Sequence, residues 1–117
     1  MILVTGGAAS GKRAYAASLG FRPEDMADAV LDGRPVVYNA QDMAARAPED
    51  VEALAAALAG KALVLLNEVG AGVIPASPEA REAREAAGRL GILLAQRAER
   101  VVRMVAGIAV VIREGGA

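Results

Sequence analysis

The residues best suited to chemistry lie near the amino end, where Gly6-Gly7-Ala8-Ala9-Ser10-Gly11-Lys12 has the G-x-x-x-x-G-K spacing of a phosphate loop. Glycines let the main chain curl tightly enough for successive N–H groups to converge on phosphate oxygens. A helix opening at Lys12 adds the unpaired N–H groups of its first turn. Lys12 itself supplies a full charge on a stem that reaches β- and γ-phosphates. The expected ligand is a phosphate-bearing nucleotide, held by Gly6, Gly7, Ala8, Ala9, Ser10, Gly11, Lys12 and Arg13. After the lysine such loops carry Ser or Thr, whose hydroxyl holds Mg²⁺; here Arg13 follows, and a guanidinium cannot ligate a metal. Anion binding survives that exchange, while Mg²⁺ loses its usual ligand. Thr5 and Ser10 are the nearby hydroxyls, and neither is at the normal position. The plain alternative is a glycine-rich strand-to-helix turn without a ligand.

A second candidate stretch is Leu63-Val64-Leu65-Leu66-Asn67-Glu68, followed by Val69-Gly70-Ala71-Gly72-Val73-Ile74-Pro75. Ligands of a parallel sheet gather at the carboxyl ends of its strands, so Glu68 should emerge on the same edge as the loop. A carboxylate there can hold Mg²⁺ through water or act as a base towards a hydroxyl. Glu68 is therefore a candidate metal and catalytic residue beside Lys12, and Asn67 can orient a phosphate or water. Alternatively the pair only ends a strand. Tyr38-Asn39-Ala40-Gln41-Asp42 reads either as a turn with a helix cap or, through Asp42, as a metal-side carboxylate. Arg81, Arg84 and Arg89 interleave with Glu79, Glu82 and Glu85, as on a solvated helix face.

These residues need elements to hold them. Ile2 to Thr5, Val36 to Tyr38, Ala62 to Leu66, Val101 to Val105 and Ile108 to Ile112 are short apolar runs without alternation, as in strands covered on both faces. Helical patterns run from Lys12 to Leu19, from Pro48 to Leu58 and from Ser77 to about Arg97, the last with Ser77 as N-cap and Pro78 in the first turn. Met26, Ala29 and Val30 predict a further short helix within 21–34. Gly107 marks a tight turn that would make the last strand antiparallel. Alternating strands and helices predict a three-layer α/β domain with a mostly parallel sheet.

Composition narrows the chemistry. The 117 residues carry 13 Lys+Arg and 14 Asp+Glu, a formal charge of −1, with no Cys and no His. One domain spanning 1–117 is expected at this length, burying roughly two thirds of its unfolded surface. Without cysteine there are no disulfides, thiolate nucleophiles or sulfur-bound metals. Without histidine there is no imidazole base and no phospho- or nucleotidyl-histidine. Near-neutral charge with two Tyr, one Phe and no Trp argues against a nucleic-acid partner. No apolar run approaches the ~20 residues of a membrane span, and Met1-Ile2-Leu3-Val4 has no basic leader. A cytoplasmic protein is expected.

Two stretches together resemble one family. Ile2 to Lys12 is similar to the opening, and Asn67 to Pro75 to the second signature, of the adenosylcobinamide kinase/adenosylcobinamide-phosphate guanylyltransferase family. Arg81, Arg84, Ala87-Gly88-Arg89-Leu90, Ala95, Ala98, Val101-Val102 and Val105-Ala106-Gly107-Ile108 extend the likeness. The resemblance implies a reduced RecA-like P-loop nucleotide-binding domain in corrinoid salvage. Members phosphorylate the aminopropanol hydroxyl of adenosylcobinamide with ATP or GTP, then transfer GMP through a guanylyl-histidine, and commonly form homo-oligomers, as trimers. The chain departs from the family where Ala9 replaces an arginine and Arg13 a serine. It also lacks the histidine and a strand ending in Asp-Cys-Leu-Thr, and it is shorter than a full member. The guanylyltransferase half by the histidine route is thereby excluded and the kinase half remains. Two other readings stay open: a nucleotide-binding partner of the corrinoid pathway without turnover, and a P-loop kinase for another small alcohol.

Overall fold

The structure, a computed structural model, describes residues 1–68 and 77–115. Strand β1 (Ile2–Gly6) runs through the middle of one six-stranded sheet and delivers the chain directly into the glycine loop and helix α1 (Lys12–Ser18). The remaining elements are β2 (Met26–Asp28), β3 (Val36–Tyr38), α2 (Ala40–Arg46), α3 (Val51–Leu58), β4 (Leu63–Asn67), α4 (Pro78–Arg97), β5 (Arg100–Val105) and β6 (Ile108–Glu114). The strand order is β2-β3-β4-β1-β5-β6. All neighbours are parallel except β5 and β6, which form an antiparallel hairpin. Register sets Gly6 level with Asn67 on one side and Met104 on the other. Three elements thus end together at the sheet's carboxyl edge.

The apolar runs lack alternation because both faces of the sheet are covered. On one face Leu3, Val64, Leu66 and Val101 pack with Ala44 of α2, Val51 and Leu58 of α3, and Ala86, Leu90 and Leu94 of α4. On the other, Val4, Leu65, Val102 and Met104 pack with Ala16 of α1. Successive strand side chains point to opposite faces, so neighbouring residues of one strand serve two different cores. This is the expected three-layer, mostly parallel α/β architecture. No helix among the described residues is long and apolar enough to cross a membrane.

Helix α4 starts where its sequence signals place it: the Ser77 hydroxyl accepts from the Ala80 N–H at 3.1 Å, with Pro78 in the first turn. At its other end Arg113 of β6 donates to the carbonyls of Ala95 and Ala98, closing off acceptors that the helix leaves unpaired. Gly91 lets the helix lie close on β4, since a Cβ there would sit 3.1 Å from the Leu66 side chain. Ser77→Ala is expected to lower stability by ~1 kcal/mol, measured as a reduced urea midpoint at constant slope.

Two stretches differ from expectation. Met26, Ala29 and Val30 do not share a helix. A 3-10 turn at Pro23–Asp25 leads into β2, which pairs with β3 in the register Met26↔Val36, and Ala29 is left-handed at φ 52°. Burial of Met26 and Ala27 against the sheet outweighs a weak helical spacing. Asn39 does precede a helix, as the cap reading allowed, but its side chain makes no cap; α2 itself was hidden among alanines. In the Pro48 to Leu58 stretch, Pro48–Asp50 form a 3-10 turn and α3 begins at Val51.

Candidate functional site

The loop owes its shape to a few torsions that side chains resist. Gly6 has φ 152°, and a Cβ on it would lie 2.5 Å from Ser10 Oγ and 2.7 Å from the Met104 carbonyl oxygen. Ala9 at φ 56° and Gly11 at φ 99° turn the chain back, and the Ser10 N–H donates to the Gly7 carbonyl at 3.3 Å. Outside the loop stands the β5–β6 turn, with Ala106 and Gly107 both left-handed at φ 49° and 80°. Such a two-residue turn matches strand twist. The Gly107 N–H donates to the Ser10 carbonyl at 3.0 Å, and Gly107 Cα would lie 3.2 Å from a Cβ on Gly11. The hairpin turn therefore props the loop, a contact that no local pattern announces.

Inside the curl sits Lys12, only 9 % exposed. Its Nζ donates to the carbonyls of Gly7 at 2.6 Å and Gly6 at 3.4 Å, and to Ser10 Oγ at 3.4 Å. Burial pushes the Lys12 ammonium below its ordinary pKa; the Glu68 charge opposes that shift and the Arg13 charge adds to it. An ammonium lodged among neutral carbonyls, partly stripped of water, is stabilised less than it would be by an anionic acceptor.

A cavity of about 320 Å³ opens beside it. The chain from Ala8 to Ala14 forms one wall, Tyr38 and Asn39 at the end of β3 the other, with Leu65 and Asn67 of β4 between. The Arg13 guanidinium lies over the Tyr38 ring, 5.0 Å from its centroid, bridging the two walls by a cation–π contact. A polar chain braces the far wall. Asn39 Nδ2 donates to Asp28 at 2.8 Å, buried Gln41 donates to Asn39 Oδ1 at 3.4 Å, and Gln41 Oε1 accepts from the Asn67 N–H at 3.0 Å. Tyr38 and Gln41 stood within the stretch read either as a turn with a helix cap or, through Asp42, as a metal-side carboxylate, and Asp42 does not line the cavity.

Glu68 lies at the same edge, its N–H donating to the Gly6 carbonyl at 2.8 Å. Its side chain takes a different partner. Arg103 reaches across β1 and grips both carboxylate oxygens, Nε to Oε1 at 2.7 Å and Nη2 to Oε2 at 3.1 Å. Glu68 is not among the residues lining the cavity that brings together Ala8 to Arg13 and Asn67. Arg103 was unforeseen, because its partner is 35 residues distant and follows a strand that does not adjoin β5. Val69 to Pro75, the remainder of the second glycine stretch, lie outside the described residues.

Mg²⁺ takes six oxygen ligands in near-octahedral geometry, several of them commonly water. Among the described residues no group of three or more His, Cys, Asp or Glu stands together. No described residue lining the cavity carries a carboxylate, Arg103 holds Glu68, and Arg13 stands where a hydroxyl ligand belongs. These residues do not fit a magnesium ion held by the protein.

A mostly parallel six-stranded sheet with helices on both faces, its glycine-rich loop leaving a central strand beside a cavity at the carboxyl edge, defines an α/β domain. A model of the cobinamide kinase/cobinamide phosphate guanyltransferase family matches residues 25–112. The chain belongs to that family of transferases of cobalamin biosynthesis. The matched region starts beyond the loop, so Gly6 to Lys12 rest on their own geometry. No curated protein matches the chain in sequence.

Proposed function

We propose that the protein is a corrinoid-salvage kinase, moving the γ-phosphoryl group of ATP or GTP to the aminopropanol hydroxyl of adenosylcobinamide. The observation that carries this reading is Lys12, whose ammonium lies buried inside the curl of Gly6 to Gly11 at the mouth of the cavity. A triphosphate takes over the donors that Lys12 now spends on its own loop, and the family membership supplies the acceptor class.

Phosphoryl transfer depends chiefly on positioning and charge stabilisation. The acceptor oxygen forms the new bond to γ-phosphorus as the bond to the β-bridging oxygen breaks, releasing the diphosphate. Lys12 stabilises charge on the phosphoryl oxygens, and Asn67 and Asn39 orient the group from the opposite wall. Glu68, at the same sheet edge, receives the hydroxyl proton once Arg103 releases it. The histidine route of guanylyl transfer has no nucleophile in these 117 residues. The exposed apolar strand β6, with Ile108 and Ile112 about two thirds exposed (67 % and 60 %), supports a homo-oligomer.

Incubation with adenosylcobinamide and labelled ATP or GTP tests the reaction. One labelled corrinoid phosphate per nucleotide consumed is expected. Nucleotide binding with no product would favour a partner protein without turnover, the reading to which the clasped Glu68 points. Label on a different small alcohol instead would reassign the acceptor.

A further inference from the structure

We propose that Arg13 takes the place of the magnesium ion, so that the loop binds the triphosphate as the metal-free anion; this rests on the nucleotide reading above. Arg13 follows Lys12 directly, at the position from which a hydroxyl would reach the metal. It presents donors only. Its guanidinium is stationed at the cavity rim by the Tyr38 ring, 5.0 Å away, and has no carboxylate partner among the described residues. The undescribed stretch 69–76 contains no acidic side chain that could supply one.

A divalent ion entering this rim would meet two fixed cations, Lys12 and Arg13. Near such a site like charges repel strongly because water is partly excluded. It would also find no carboxylate among the described residues that line the cavity. A planar guanidinium, by contrast, offers paired N–H groups matched to phosphate oxygens. Arg13 therefore neutralises the polyanion by hydrogen bonding where metal coordination would otherwise do so. The stack on Tyr38 means that little side-chain freedom is lost when phosphate arrives.

Calorimetry with the intact protein and ATP, in excess EDTA and in excess Mg²⁺ at equal ionic strength, tests this. Binding in EDTA is expected to equal or exceed that in Mg²⁺. Arg13→Ser is expected to weaken binding in EDTA by about tenfold or more and to make added Mg²⁺ strengthen it. Arg13→Lys, keeping charge without the planar fork, should fall between the two. Wild-type binding that requires Mg²⁺ would overturn the inference and leave the nucleotide site standing. No binding in either buffer, with a folded protein by circular dichroism, would remove the nucleotide site itself.

Discussion

Replacing Lys12 with methionine is expected to weaken ATP or GTP binding about a hundredfold while leaving the nucleotide-free protein as stable as before, or more so. A hydrogen bond to a charged partner contributes ~1.5–3 kcal/mol. Losing one or two such bonds to phosphate corresponds to roughly a factor of 10 to 10⁴, at ~1.4 kcal/mol per decade. Stability moves differently, because the empty loop carries a buried ammonium whose pKa is lowered chiefly by desolvation. A lysine depressed in the folded state is destabilising while charged in both states, and stability recovers as pH rises from the folded pKa towards the ordinary value. Methionine removes that penalty while filling the same space. Thermal melts with and without nucleotide check both parts. The upshift caused by nucleotide should vanish, and the Tm of the free protein should not fall. A large drop in the free protein's Tm would mean that Lys12 serves as a structural bolt.

Gly6→Val is expected to cost about 3–4 kcal/mol, enough to unfold much of a marginal domain. Two separate causes add. A φ of 152° is a conformation that L side chains rarely adopt, and such strain costs on the order of 1–3 kcal/mol. The new Cβ would also press on the Met104 carbonyl oxygen at 2.7 Å and Ser10 Oγ at 2.5 Å, an overpacking that typically costs about 1–3 kcal/mol. Met104 belongs to the backbone of a central strand and cannot swing aside. Gly7→Ala is the matched control: its φ is not in the strained range and a Cβ meets nothing within 4 Å. Urea titrations followed by far-ultraviolet circular dichroism should show a large fall for the first substitution and almost none for the second. Equal falls would show that the loop is not tightly folded against β5.

Most of the scaffold was legible because its signals are local. Ile2 to Thr5, Val36 to Tyr38 and Leu63 to Leu66 are apolar throughout because helices cover both faces of the sheet, and Ser77-Pro78 marks the start of α4 in two residues. Strand β2 was not legible. Met26-Ala27-Asp28 has no strand pattern of its own and is a strand only because β3 lies beside it. Helix α2 was obscured for another reason, since an alanine-rich segment has too little contrast between its faces to show a period.

The candidate site divides along the same line. Glycine spacing and the lysine that ends it prescribe a curled main chain around an ammonium, because torsional freedom and side-chain reach are properties of a short segment. Strand order then assigns the neighbours. With β1 lying between β4 and β5, Arg103, level with Thr5 on β1, reaches over that strand to Glu68. With β3 beside β4, Tyr38 comes under Arg13 and Gln41 reaches the Asn67 N–H. Contacts between residues 25 to 35 positions apart leave no trace in local spacing, because they depend on which strands the shared hydrophobic cores bring side by side.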